Sequence, residues 1–358
     1  MNRLPKWGVL IVALYSCMGC MPPSSPEEPG SPWIWETLAG ALAGISFRGF
    51  TTVDDSVFWA SGSRGTILLT VDGGSSWLSR NPPGNGHRDF RAIYAWSAAQ
   101  AVALAVGDTG LILRTTDGGM NWDTAYLDPS PGVFLDDLDF DGPNGWAFGD
   151  PLERGLYLLT SRDSGQSWSR VNPSSLPEPA GNEGAFAASG TNLVAQAGRV
   201  GIVTGAGRWP RFIYQNQETW HAVRVPLQAG PLAGAYSVAF RDSLRGMAVG
   251  GNFQDSLRRD SVACLTMDGG HHWQLVDQQH GPRGYRSCVI WHDQWKCWFA
   301  IGRTGLDYSV DGIHWEPVHQ QPGFYVCMPT RHALWCVGRN GQLGKLTSAA
   351  LTTAKERI

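Results

Sequence analysis

The sequence predicts an all-β fold: a seven-bladed β-propeller with four-stranded blades, its ring closed by an N-terminal strand in the last blade. Three observations carry this. A short box, (S/T)-x-D-x-G-x-x-W, keeps returning. The strands around it return with it. The two ends of the ring complement each other.

The box reads TVDGGSSW at 70–77, TTDGGMNW at 115–122, SRDSGQSW at 161–168 and TMDGGHHW at 266–273. A degenerate copy, IYQNQETW, ends at Trp220, and a shortened one, SVDGIHW, ends at Trp315. Successive box tryptophans are 45, 46, 52, 53 and 42 residues apart. Each box comes after the same context: an apolar run ending in Gly, a turn, and a second apolar run. VFWASGSRGTILLTVDGGSSW (57–77), AVALAVGDTGLILRTTDGGMNW (101–122) and CWFAIGRTGLDYSVDGIHW (297–315) show it, and ALWCVGRNGQLGKL (333–346) repeats it without a box. Four short strands per repeat of this length make a propeller blade. Within the box, the Asp accepts hydrogen bonds from the turn's own N–H groups, the Gly takes positive φ, and the Trp packs into the blade. Asp72, Trp77, Asp117, Trp122, Asp163, Trp168, Asp268, Trp273, Asp311 and Trp315 are therefore read as structural. The seventh repeat lacks an outer strand. WIWETL (33–38) resembles the strand after each box tryptophan and can supply it, leaving no open edge.

Ahead of this body, Arg3 and Lys6 precede an apolar run, Trp7–Tyr15, too short to span a bilayer. Cysteines after small residues come next, at Ser16-Cys17 and Gly19-Cys20. Residues 1–20 thus read as a lipoprotein-type signal peptide and lipobox, with Cys17 or Cys20 lipidated. Residues 21–32 form a Pro/Ser-rich tether, 33–346 the propeller, and 347–358 a C-terminal tail. The expected place is the periplasm or cell surface, held to the membrane by the lipid anchor only. Five further cysteines suit an oxidising compartment. CVIWHDQWKC (288–297) and CMPTRHALWC (327–336) share a spacing that allows hairpin disulfides Cys288–Cys297 and Cys327–Cys336; four small buried thiols satisfy the same pattern.

The chain is 16% charged with a formal net charge of −3, which argues against nucleic acid as the main partner. No nucleotide loop, Ser-His-Asp arrangement or zinc spacing is present, so no cofactor is expected. DDLDFDGPNG (136–145) imitates the Asp spacing of a calcium loop but lacks its distal Glu, and no metal is assigned. The chain is expected to act as a monomer.

The innermost strand of each blade lines the central channel. Aligning SFRGF, DFRAI, FLDDL, NEGAF, AYSVA, GYRSC and GFYVC puts Arg48, Arg91, Asp136, Glu183, Tyr236, Arg286 and Tyr325 in one column. Such a ring can grip an anionic or polar ligand through arginine forks and tyrosine faces, or neutralise itself across a narrow channel. It also raises a sialidase-like glycoside hydrolase using Asp136, Glu183, Tyr236 and Tyr325. Sialidases, however, have six blades and an FRIP-type motif; this chain has SFRGF there, and RWPRF (208–212) lies elsewhere.

The marks SFRG (46–49), DFRAI (89–93), FGDP (148–151), EGAFAASGT (183–191), SVAFRDSLRGMAVGG (237–251), GYRS (284–287) and GLDYSVDGIHW (305–315) run through the whole body. In them the chain resembles bacterial relatives of the photosystem II stability/assembly factor, the BNR/Asp-box seven-bladed propellers. Some relatives carry the labels oxidoreductase or glycosyl hydrolase, which no Rossmann or flavin fingerprint supports here. The resemblance implies a scaffold that binds a membrane-protein subunit during assembly through an arginine-rich surface, with Arg48, Arg91 and Arg286 in that role. The expected partner is a protein segment or a polar anionic or glycan ligand.

Overall fold

The computed structural model describes residues 11–13, 32–38, 43–107, 109–153 and 155–349. The lipidation candidates Cys17 and Cys20, most of the tether and the chain beyond Ala349 lie outside these. The strands form seven antiparallel sheets, the blades, in chain order. Their inner strands are Phe47–Thr52, Asp89–Ala95, Leu135–Asp141, Leu193–Gln196, Ala233–Phe240, Cys288–His292 and Phe324–Pro329. The ring closes as the sequence predicts: Trp33–Leu38 pairs with Leu343–Ser348 as the outer strand of the seventh blade, Trp33 opposite Ser348 and Leu38 opposite Leu343. The last strand runs to Ser348, two residues past the predicted end of the body. Ile11–Ala13, within the segment read above as a signal peptide, pairs along the outer strand of the first blade, Val12 opposite Trp77.

Blades pack face to face, so their second strands are covered on both sides and read as unbroken apolar runs. Phe58–Gly62, Ala101–Val106 and Cys297–Gly302 are buried at every position. Each inner strand starts at one end of the ring, the connector end, where the blades are linked and the second and third strands turn. The boxes close turns at the opposite end.

In each regular box the Asp holds its own turn. Ser76 N–H reaches Asp72 Oδ1 at 2.9 Å and Thr70 Oγ1 donates to the same oxygen at 2.8 Å. Thr115/Asp117/Asn121, Ser161/Asp163/Ser167 and Thr266/Asp268/His272 repeat this. The second box glycine sits where no side chain fits: at Gly74, with φ of 81°, a Cβ would meet the Trp335 ring at 2.6 Å. The box thus fixes a turn and seats it on the preceding blade. The degenerate copy in the fourth blade has become a two-residue hairpin at Gln217-Glu218, Asn216 pairing with Thr219.

The cysteines correct one expectation. His292 pairs with Cys297 and Cys288 with Ile301, so the hairpin turns two residues later than the sequence suggested and Cys288 and Cys297 are not opposite. Cys327 does face Cys336. All five described cysteines are buried and free. The sulfurs of Cys288 and Cys327, on different blades, lie 4.0 Å apart.

Candidate functional site

Five of the seven inner strands carry a β-bulge, and the column residue sits in it. The register slips between Phe47 and Gly49, Phe90 and Ala92, Leu135 and Asp137, Ala235 and Ser237, and Phe324 and Val326. Arg48, Arg91, Asp136, Tyr236 and Tyr325 are the extra residues. A bulge leaves one residue out of the ladder and re-aims its side chain.

The fourth blade departs from the expected alignment. Its inner strand is Leu193–Gln196 rather than 182–186. The preceding segment, Phe186–Thr191, crosses the ring axis: it starts from the fourth blade and reaches side chains of the first and second. Arg48 Nη1 donates to Ala188 O and Arg91 Nη1 to Ala187 O, each at 3.1 Å. Ser189 Oγ donates to Ser287 O at 2.6 Å, Thr191 Oγ1 to Ser237 Oγ at 2.8 Å, and Phe186 stacks on Tyr236 with centroids 4.0 Å apart. Gly190 lies against the second-blade bulge, where a Cβ would meet Arg91 O at 3.0 Å, and its φ of 60° suits glycine. Small residues let this plug fill the narrow axis.

The plug divides the column. Arg48 and Arg91 remain partly exposed, and Arg48 lies over Tyr325, its guanidinium carbon 3.7 Å from the ring centroid. Burial lowers the Arg48 pKa, with Arg91 adding to it and Tyr325 opposing. Arg91 also pairs with Asp89 at 2.9 Å. The other members are spent in the interior. Arg286 is fully buried; its Nε lies 3.0 Å from Asp307 Oδ2, which Nη2 also reaches, and Nη1 donates to Tyr285 O and Thr304 Oγ1. Glu183 is clamped by Arg211 through both carboxylate oxygens and by Thr204, with its side chain 0% exposed. Tyr236 is buried and donates to Leu232 O at 3.0 Å. Asp136 is buried without a hydrogen bond of good geometry; burial, then the Asp150 and Asp137 charges, push its carboxyl well above the ordinary range. Arg286, Glu183, Tyr236 and Asp136 therefore do not present themselves at a mouth, and the carboxylate pair of a glycosidase is not open to solvent.

The calcium-like run proves to be a seam between blades. Asp137 and Asp139 accept the N–H groups of Leu193 and Ala195 at 2.9 and 2.7 Å, and Asp141 accepts that of Gly198. No group of side chains among the described residues is arranged to hold a metal. Burial raises Asp139 from 3.8 to about 7, against the Ala195 and Phe140 N–H groups. Its folded pKa exceeds its unfolded one, so its contribution is present below about 3.8 and is lost as pH rises through about 7. The box carboxylates shift oppositely: despite burial, the Ser167 hydroxyl and N–H hold Asp163 at about 2, a contribution lost as pH falls below about 3.8. The melting temperature is expected to rise as pH falls from about 7 toward 4, and Asp139→Asn to flatten that limb in a thermal-shift pH series. An unchanged slope in the variant would remove Asp139 as the cause.

The connector end is electrically two-sided. Arg64, Arg88, Arg283, Arg303 and Arg339 join Arg48 and Arg91 on blades six, seven, one and two. Apart from Arg91, none has an ion-pair partner among the described residues. Across the plug, blades three and four form an open cleft lined by Asp150, Glu153 and Glu178. Sequence reasoning missed this second half and the plug.

The model of the photosynthesis system II assembly factor YCF48 family matches residues 30–133 and 89–210, together just over half of the chain. The chain belongs to the YCF48 family. Solved YCF48 structures share its fold. YCF48 from Cyanidioschyzon merolae is 16% identical, covering 87% of this chain and 98% of that one, with a TM-score of 0.63. A structure described as YCF48 bound to D1 peptide is 18% identical, covering 91% and 100%, with a TM-score of 0.61. Virginiamycin B lyase from Staphylococcus aureus, at 11% identity and 88% and 99% coverage, has a TM-score of 0.65, so the fold alone does not separate YCF48 from a lyase. No curated protein matches the chain.

Proposed function

We propose that this YCF48-family chain is an exported, lipid-anchored scaffold that holds an extended segment of a partner protein during assembly of an envelope complex. The carrying observation is the pair Arg48 and Arg91. The Nη1 of each is tied to a plug carbonyl, which fixes the guanidinium while the side chain stays partly exposed. Held in this way, the arginines lose little freedom on binding a carboxylate. Tyr325 supports Arg48 from below, and the unpaired arginines around them add long-range attraction for an acidic segment. The relative solved with D1 peptide supports a peptide as the ligand class.

The test is binding of an acidic peptide library by the wild-type chain and by Arg48→Ala/Arg91→Ala. Loss of two charge-assisted hydrogen bonds is expected to weaken capture on the order of 10²-fold or more. Arg162→Ala, exposed at the box end, is expected to change nothing. Equal capture by the double variant would move the site off this face. Turnover of a glycoside by the wild-type chain would overturn the scaffold reading.

A further inference from the structure

The box end carries a pattern that the peptide site does not use. Six of the ten exposed large aliphatic side chains among the described residues lie there: Val71, Met120, Leu244, Met267, Val310 and Ile313. Their exposures run from 44% at Ile313 to 68% at Met120. Five are in box turns. Leu244 is in the adjoining turn, where its carbonyl accepts the Gly269 N–H at 2.8 Å. Each projects from a turn whose backbone is fixed by its own Asp or Ser/Thr, so the apolar tips are held rigidly.

Their distribution around the ring is uneven. They belong to blades five and six and to blades one and two. The equivalent turns of blades three and four present Arg162, Gln217 and Glu218. Blade seven, midway along the apolar arc, has no box. It is instead where the N-terminal chain enters: Trp33 lies opposite Ser348, at the box end, and packs against Trp295 beside the turn of blade six. Scattered surface aliphatics need no explanation, but an arc centred on the point of chain entry does.

We propose that the box end is a membrane-facing surface, seated on the bilayer that carries the chain's own lipid anchor. This rests on the lipid-anchored part of the function above. Cys17 and Cys20 precede Trp33 by 16 and 13 residues, a reach of at most about 45–55 Å when fully extended. A body tethered by that length through blade seven meets the bilayer box end first, and the apolar tips on either side enter the interface. The polar blades three and four tilt away. The arginine half of the opposite end then faces the compartment, open to a partner segment.

The experiment is hydrogen exchange on the mature acylated chain, which begins at its lipidated Cys17 or Cys20, in detergent and in vesicles of phosphatidylethanolamine and phosphatidylglycerol, with acylation read by intact mass. On vesicles, exchange is expected to slow at 70–76, 116–121, 266–272 and 309–314, and to stay unchanged at 63–65, 303–304 and 339–341. Val71→Asp/Met120→Asp/Met267→Asp/Val310→Asp is expected to abolish that slowing while the acyl group keeps the chain on the vesicles and peptide capture persists. Protection at the connector end, or none at either end, overturns the orientation and leaves the peptide site standing. Protection that grows with protein concentration in detergent assigns the surface to a second copy instead. A chain carrying no acyl group overturns both the anchor and this orientation, whereas loss of peptide capture alone concerns only Arg48 and Arg91.

Discussion

Arg286→Ala is expected to destabilise the propeller by roughly 3–5 kcal/mol, the cost of leaving a buried charge without its partner. Arg286 and Asp307 side chains are 0% and 2% exposed, and the guanidinium also serves Tyr285 O and Thr304 Oγ1. The variant removes four contacts and leaves the buried Asp307 carboxylate with the Arg283 N–H but no cation. Urea melts of the wild type, Arg286→Ala and Arg286→Met/Asp307→Leu measure it. The double change replaces the pair by apolar volume and is expected to recover most of the loss, since a buried pair gains little net energy over well-packed hydrophobes. A single variant as stable as wild type would mean that Asp307 finds another partner or solvent. Loss of peptide binding in Arg286→Ala would report unfolding rather than a lost ligand contact.

A chain beginning at residue 39 is expected to lose its single cooperative transition and to elute as larger assemblies, whereas one beginning at residue 32 retains the fold. Trp33–Leu38 contributes six paired positions to the seventh blade. Trp33 packs on Trp295, Phe299 and Tyr308, and Trp35 stacks on His319 with centroids 4.6 Å apart. Removing the strand exposes these rings and bares the edge of Leu343–Ser348, a template for pairing with another chain. Size-exclusion chromatography and thermal unfolding of the two truncations separate the outcomes. Equal behaviour would show that the ring does not depend on its closing strand.

Blade number and closure were legible because both are written in repetition: the box marks a turn, and WIWETL matches the strand after a box. The column was legible on the five inner strands that keep the pattern. It failed at Glu183 because 183–191 is not a strand. Its glycines and alanines, without alternation, suit a segment that must fit the axis. Arg286 lay in the right place, but its Asp307 partner is distant in sequence and nothing local announces it. The bulges left a trace. Phe47 and Phe50, Phe90 and Ile93, Leu135 and Leu138, Ala235 and Val238, and Phe324 and Cys327 are all buried pairs three apart. In a regular strand such pairs point to opposite faces, yet each pair here packs into one core cluster, which implies one residue outside the alternation. The hairpin register at Cys288 was beyond reach, since a two-residue shift of the turn leaves the apolar alternation intact.

The bulges also separate what folds this chain from what it recognises. In five blades the residue aimed at the axis belongs to neither face of its strand, and the buried pair around it fills the core whatever its chemistry. Arg, Asp and Tyr already occupy this one position on a common backbone. Where that residue is partly exposed, as at Arg48, Arg91 and Tyr325, descendants of such a ring can change partners by exchanging it, with the folding instructions untouched. A shared fold at low identity then says little about a shared ligand, and the axial residues are where relatives are to be compared.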